Sequence, residues 1–387
     1  MRRADVVVVG AGVIGASVAY HLAARGCRDV LVVERGQSPA PGSTGRATGG
    51  FRSQFATAVN VRLSLLSRAK LLGFSDEHGV DPGYSPRGYL FLAGDQAQMA
   101  ALLAAQRVQR DEGLAEARAV SAEEALRLNP ALGGEGFIGG TFCPTDGFIR
   151  PLEILRGYTA SAERLGVSFE RGVGVEGFRK GAGGRVESVL TTAGEIAAGS
   201  VVNAAGAWAG RLAASAGVAL PVVPLKRQVA VTRPFSRLTE EMPMTIFVGD
   251  GFHLRVRDGR VLLLWPDERE DRGSFSIEVE DEWVASVLGK ARARLPCLAG
   301  AEVERELCWA GLYEMSPDKH AILGRASGVE NFYLANGSSG HGVMHSPALG
   351  QLLAEIILDG EAHSLDARPL RPERFEEGAP NVAHDFL

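Results

Sequence analysis

The chain has 387 residues, 45% of them hydrophobic, and a formal net charge of −5, which suits a sizeable core and about two or three domains. No run or stripe of Lys and Arg breaks the mildly acidic balance, so composition excludes a nucleic-acid-binding surface and points to a small molecule or another protein as partner. The 49 glycines follow no G-x-y period, which excludes a collagenous or low-complexity chain and marks a globular one with many tight turns.

Arg2 and Arg3 precede an apolar run, as in a signal peptide. Asp5 interrupts that run, and Gly10, Gly12 and Gly15 would weaken an apolar helix. No stretch reaches the roughly 20 apolar residues that span a bilayer. A soluble cytoplasmic protein is expected, at most peripheral to a membrane. "DVVVVG" reads as a buried parallel strand, being short, continuous and β-branched. Gly10-x-Gly12-x-x-Gly15 follows, then apolar residues at helical spacing up to Gly26, a helix-ending residue. "DVLVVE" is a second buried strand, whose terminal Glu34 lies 19 residues after Gly15. This strand–turn–helix–strand unit is a dinucleotide cradle. Gly10 permits the turn, Gly12 lets backbone approach a pyrophosphate, and Gly15 lets helix pack on strand. The helix N-terminus favours phosphate. Glu34 is placed to accept ribose hydroxyls and would repel a 2′-phosphate, which favours NAD or FAD over NADP.

An NAD-type unit would continue into a third strand. Residues 42–55 instead read "GSTGRATGGFRSQF". Such a segment forms no core strand, but it can lay amides and hydroxyls along a larger ligand without bulk. That favours FAD, whose length needs a second set of contacts. Further on, "GYSPRGYLFLAG" reads as strands and "DQAQMAALLAAQRVQRDEG" as an amphipathic helix. A helix is expected at 151–165, strands at 166–210, and alternating strands in "VPLKRQVAVTRPF" and "TIFVGDGFHLRVRDG". In the last of these, His253 and Arg255 share one face. "GSSGHGVMHSPALG" is a glycine-rich loop opening a helix. The tail, 371–387, is polar and expected at the surface. Cys27, Cys143, Cys297 and Cys308 are far apart with no C-x-x-C spacing, so the thiols read as reduced and no metal site is expected.

Four ordered stretches together resemble the D-amino-acid-oxidase-like FAD-dependent oxidoreductases: the N-terminal unit, 42–55, "EIAAGSVVNAAGAWAGRLAASAG" (195–217), and 311–360 with its "GLYEMSPDKHAILG" turn. The segment 42–55 looks closest to the glycine/sarcosine oxidase and dye-linked L-proline dehydrogenase β-subunit branch. The resemblance implies a mixed α/β fold, with a Rossmann-like FAD-binding domain (1–80, 151–210 and 306–370) interleaved with an antiparallel-sheet substrate domain (81–150 and 221–305). It implies non-covalent FAD held by Gly10, Gly12, Val13, Ile14, Gly15, Glu34 and Arg35 in the first unit. Ser43, Thr44, Arg46, Ala47, Thr48 and Gly49 would continue the cradle. Val175 would hold the adenine by backbone, with Ala204, Ala205, Gly206 and Trp208 close to the cofactor. Gly311, Gly337, Ser339, Gly340, His341, Gly342, Val343 and Met344 would surround the flavin, whose reduced, anionic form suits a helix N-terminus.

The implied reaction is oxidation of the C–N bond of an amino acid or secondary amine (proline-, sarcosine- or glycine-like) by hydride transfer to the flavin, giving an imine. The alternatives are a 2-hydroxy-acid or polyol dehydrogenase of the same fold, or the FAD subunit of a hetero-oligomeric dehydrogenase. A carboxylate substrate needs a cationic anchor, and the planar fork of Arg suits it. Arg52 lines up with the anchor of sarcosine-oxidising relatives. Their second cation falls at Met344 here, a departure that puts a sarcosine-like substrate in doubt. His253 and Arg255 are candidates to supply the missing charge. Between a catalytic base and a cofactor contact, the glycines around His341 favour the contact. The cysteine that tethers flavin in some relatives falls at Gly311, three residues after Cys308. The lysine that promotes reaction with oxygen falls near Leu263, which favours a dehydrogenase. The electron acceptor is left open among oxygen, a quinone, a dye and a partner subunit, and so is assembly as a homo- or hetero-oligomer.

Overall fold

In the computed structural model, residues 2–267 and 272–381 are described; the end of the expected tail, 382–387, lies outside them. The β-branched run Arg2–Val9 is the middle of a sheet. Its valines pair in parallel register with Val30–Glu34 on one side and Gly194–Asn203 on the other. The path of this sheet runs Ile322–Arg325, Phe332–Asn336, Gly194–Asn203, Arg2–Val9, Val30–Glu34 and Ser168–Arg171. All neighbours along it are parallel except the first pair. A strand buried on both faces must be apolar throughout, and Val7 and Val8 are fully buried.

The helix Val13–Ala24 packs on this sheet and against the long helix Gly342–Asp359. Their contact is close because Gly350 has no side chain: a Cβ there would lie 2.1 Å from Ser17 Oγ. Ser17 Oγ uses that proximity to donate to the Ser346 carbonyl at 2.8 Å. The two helices therefore lie side by side, and both begin at one cleft.

The second sheet runs Trp309–Met315, Val223–Val231, Arg260–Leu264, His253–Arg257, Met244–Phe247, Tyr89–Ala93, Gly139–Cys143 and Arg118–Ser121. Its pairs are antiparallel except Met244–Phe247 with Tyr89–Ala93. The strand Trp309–Met315 belongs here by hydrogen bonding, although it falls within 306–370, the stretch read as closing the cofactor domain. It is the seam between the halves, because its carbonyls also hold the loop at 43–46: Ser43 Oγ donates to Leu312 O at 2.6 Å and Arg46 Nη1 to Ala310 O at 2.9 Å.

The tail differs from a polar surface strip at one residue. Arg374 is 1% exposed and grips Asp318 with Nε at 2.8 Å and Nη2 at 3.0 Å. This pins the tail across the turn that follows Trp309–Met315. Among the described residues no helix is long and apolar enough to cross a membrane.

Candidate active site

The glycine turn takes the shape that its spacing predicts. Gly10 has φ +108°, and a Cβ there would sit 2.4 Å from the Ala204 carbonyl oxygen. A Cβ on Gly15 would meet Gly10 O at 1.9 Å. Gly12 is different: it is extended, with φ −70° and ψ 176°, and an added Cβ would touch only Thr44 Oγ1, at 3.4 Å. Nothing in the polypeptide demands glycine at position 12; the open space before it does. Glu34 fixes the turn from below, Oε2 accepting from Ala11 N at 3.1 Å and Oε1 from Gly36 N at 2.8 Å.

The second glycine segment is clamped on two sides. The strand Trp309–Met315 holds one side, as described above. On the other, Arg255 Nη1 donates to Thr48 O at 2.7 Å and Gly49 O at 3.2 Å, with its guanidinium 3.8 Å above the Phe148 ring. Gly49 has φ +79°, and a Cβ would strike Ile149 O at 2.3 Å. Arg255 thus turns Nη1 to the loop, and it is not among the residues that border the cleft.

These pieces enclose a cleft of about 700 Å³. It is bordered by nearly every cofactor residue expected from the sequence, from Gly10 and Gly12 through Glu34, Ser43, Thr48, Val175, Ala204 and Trp208 to Gly340 and Met344. Gly15, Gly337, Ser339 and His341 lie outside its wall. Gly15 packs the turn, as above, while Ser339 Oγ accepts the Ser316 N–H at 3.1 Å and shapes the loop. At one rim Arg35 lies 3.6 Å over the Trp208 ring, which stacks on Phe275 at 5.3 Å.

The cleft fits a long dianionic dinucleotide. Two helices begin at it with no acidic residue in either first turn, and helix N-termini favour anions. Two buried polar atoms on its wall, Glu314 Oε2 and Ser338 Oγ, make no hydrogen bond of good geometry in the protein, as a wall that completes its hydrogen bonds with a ligand would. The family model for FAD-dependent oxidoreductases matches residues 5–356. The chain belongs to that family. Its cofactor is FAD.

The same family brings whole-chain likenesses. This oxidoreductase is 31% identical to FAD-dependent oxidoreductase domain-containing protein 1 of Bos taurus, over 100% of this chain and 87% of that one. It is 30% identical to glycine oxidase of Geobacillus kaustophilus, over 92% and 93%. Its fold is similar to L-proline dehydrogenase from P. horikoshii, with TM-score 0.90 and 29% identity over 98% of this chain and 100% of that one.

The antiparallel sheet also contributes Arg227, Val229, Leu264 and Tyr313 to the lining of the FAD cleft. Arg227, opposite Gly311 in register, lies 5.6 Å over the Tyr313 ring. Arg52 is not on this wall. It is 3% exposed, lies 4.2 Å over the Phe55 ring, and donates from Nη2 to His341 Nε2 at 3.0 Å. An arginine has no acceptor, so His341 must receive at Nε2 and carry its proton on Nδ1. Burial first, then the Arg52 charge, holds His341 well below the usual histidine range. Burial likewise lowers His345 to about 3 and His253 to about 4, the latter against a bond with the Gly251 carbonyl. At neutral pH all three rings are uncharged.

Asp146 lies beneath, fully buried and pushed up to about 6 by that burial. The Ser53 N–H at 2.6 Å, the Gln54 amide at 3.1 Å and the Arg52 charge oppose the rise. Gly311 packs under Arg46, and Cys308 Sγ accepts from Val231 N at 3.4 Å instead of facing the cleft. Leu263 points into the core while Leu264 faces the cleft, as strand alternation requires.

Sequence reasoning missed Arg227, Tyr313, Glu314 and Ser338. The signal for Arg227 was available: a cation inside the apolar alternation of "VPLKRQVAVTRPF". For Glu314 it was a carboxylate between the apolar neighbours of "GLYEM".

Proposed function

We propose that this oxidoreductase oxidises the C–N bond of an amino acid or secondary amine of the proline, sarcosine or glycine type, anchoring its carboxylate on Arg227. The observation that carries the reading is the strand face bordering the FAD cleft: one guanidinium over an aromatic ring, with Val229 and Leu264 on the neighbouring strand positions. Such a wall suits a small molecule with one carboxylate and an apolar body. When bound, FAD would supply the chemistry by taking a hydride from the carbon that bears nitrogen, and the resulting iminium would lose a proton to water to give the imine. The protein supplies orientation and charge. Arg227 fixes the carboxylate, and the apolar residues exclude water. The neutral histidines add no positive charge that would repel an amine. Arg52 acts one layer back, holding His341 in its tautomer. Proline dehydrogenase and glycine oxidase among the similar proteins support this substrate class.

The test is anaerobic bleaching of the flavin across D- and L-amino acids, N-methyl amino acids, proline and 2-hydroxy acids. Bleaching by amino acids or N-methyl amines is expected. Bleaching by hydroxy acids alone would overturn the reading. Reoxidation by oxygen, a quinone or a dye then identifies the acceptor.

A further inference from the structure

Glu314 borders the FAD cleft and is 8% exposed. Its strand turns it beneath the loop that opens the Gly342–Asp359 helix. Oε1 accepts the Ser338 N–H at 3.3 Å, and Ser339 N–H donates to the Glu314 carbonyl at 3.1 Å. Oε2 makes no hydrogen bond of good geometry, and neither does Ser338 Oγ, whose hydroxyl lies beside the same carboxyl. Two unsatisfied buried polar atoms on one wall are costly unless a ligand completes them. The charged groups on the elements around Glu314 engage other partners. Lys226 turns to Glu280, Arg46 to the Ala310 carbonyl, Asp318 to Arg374 and His341 to Arg52. Arg227 lies over Tyr313, and Lys319 and His320 sit in the turn beyond.

We infer that Glu314 enters the holoenzyme as a neutral carboxyl that hydrogen-bonds FAD, so that retention of the cofactor is linked to one proton. This rests on FAD being the cofactor and is independent of the substrate reading. A neutral carboxyl satisfies the geometry: the protonated Oε2 donates to the ligand while Oε1 keeps the Ser338 N–H. Burial already raises Glu314 to about 7, and the nearby donors, the Ser338 amide and hydroxyl and the Gly337 amide, oppose the rise. FAD removes water from the cleft and adds two negative phosphates to it, and both effects disfavour the carboxylate. Below pH 7 the group already carries its proton and binding is insensitive to pH. Above it, binding must first take up a proton, and affinity falls.

The experiment is serial dilution of holoenzyme at pH 6 and pH 8, with released FAD read by its fluorescence. The wild-type Kd is expected to be roughly tenfold higher at pH 8, by proton linkage, and that of Glu314→Gln equal at the two values. An unchanged wild-type Kd, or a Gln variant that keeps the change, overturns the inference. Should the variant fail to fold, wild type suffices. Titrating FAD into the stripped full chain at pH 8, in two buffers of different ionisation heat, should show uptake of about one proton per FAD. Uptake near zero overturns the inference equally.

Discussion

Replacing single glycines by alanine separates what the glycine turn does for the fold from what it does for FAD. The three positions predict three outcomes. At Gly12 the added methyl meets no protein atom closer than Thr44 Oγ1 at 3.4 Å, and the backbone is already in a conformation alanine adopts. The apoprotein loses only the helix-start preference for glycine over alanine, about 0.5–1 kcal/mol, and melts roughly 2 °C lower. The methyl projects into the cleft where the cofactor must approach. Overpacking of one methyl costs about 1–3 kcal/mol, which weakens FAD binding roughly 5- to 150-fold. At Gly15 the methyl lies 1.9 Å from a backbone oxygen of the same turn, and at Gly10 it lies 2.4 Å from the Ala204 oxygen with φ at +108°. Neither clash can be relieved by a side chain moving, so both variants should lose the fold of the unit. The assays are flavin content of the purified protein, FAD dissociation by fluorescence, and melting of the apo chain. A Gly12→Ala protein with wild-type FAD affinity would refute the reasoning, as would a Gly15→Ala protein that melts like wild type.

Arg227→Met should raise KM for carboxylate-bearing amines about 10- to 100-fold, the scale of a charge-assisted hydrogen bond, while leaving amines without a carboxylate unaffected. Arg52→Ala should lower the melting temperature and let His341 titrate at higher pH, which NMR can follow, with little change in KM. A carboxylate-specific KM effect in Arg52→Ala but not in Arg227→Met would move the anchor to Arg52. Arg374→Met should cost about 3–5 kcal/mol, because it strands the buried Asp318 carboxylate, and denaturant titration measures the loss. Burial alone would raise Asp318, yet its bonds with Arg374, that residue's charge and the Asn381 and His320 amides bring it from 3.8 down to about 2. A depressed carboxyl stabilises the fold above its unfolded value. This contribution is complete above pH 4, is lost as pH falls towards 2, and should be reduced in the acid-stability profile of the Arg374→Met variant.

The readable parts of this protein were those in which a local pattern dictates local backbone. Gly10, Gly12, Gly15 and Glu34 lie within one strand–helix–strand unit, and their spacing alone sets who meets whom. The small residues of 42–55 were readable for the same reason, as backbone that can lie along a ligand. Partner choice across the chain was not readable. Arg46 reaches the Ala310 carbonyl and Arg255 the Thr48 and Gly49 carbonyls, contacts spanning more than 200 positions. A period-two pattern tells which face Arg255 shares with His253 but not what that face meets. Arg374 looked like part of a polar tail because its partner, Asp318, lies in a distant turn. Arg52 was expected to anchor a substrate carboxylate, but it lies against His341 and Phe55 outside the cleft lining, and no spacing relates it to them.

The two sides of the site are built from different materials, which bears on where its specificity is set. The FAD side is mostly backbone at close approach, and Gly10, Gly15 and Gly49 tolerate no side chain there. The facing wall is side chains on antiparallel strands, where Arg227, Val229, Leu264 and Tyr313 are held by a ladder of main-chain bonds indifferent to what they carry. Replacing one of these alters the cavity without altering the register. A family can therefore keep one cofactor cradle and change its substrate by exchanging wall residues, since function is set by the site rather than the fold. Met344 borders the cleft from the cofactor helix, where it packs in the same core as Ile14 and Ala348. Exchanging Arg227 should therefore change which substrates are taken while leaving the FAD cradle intact.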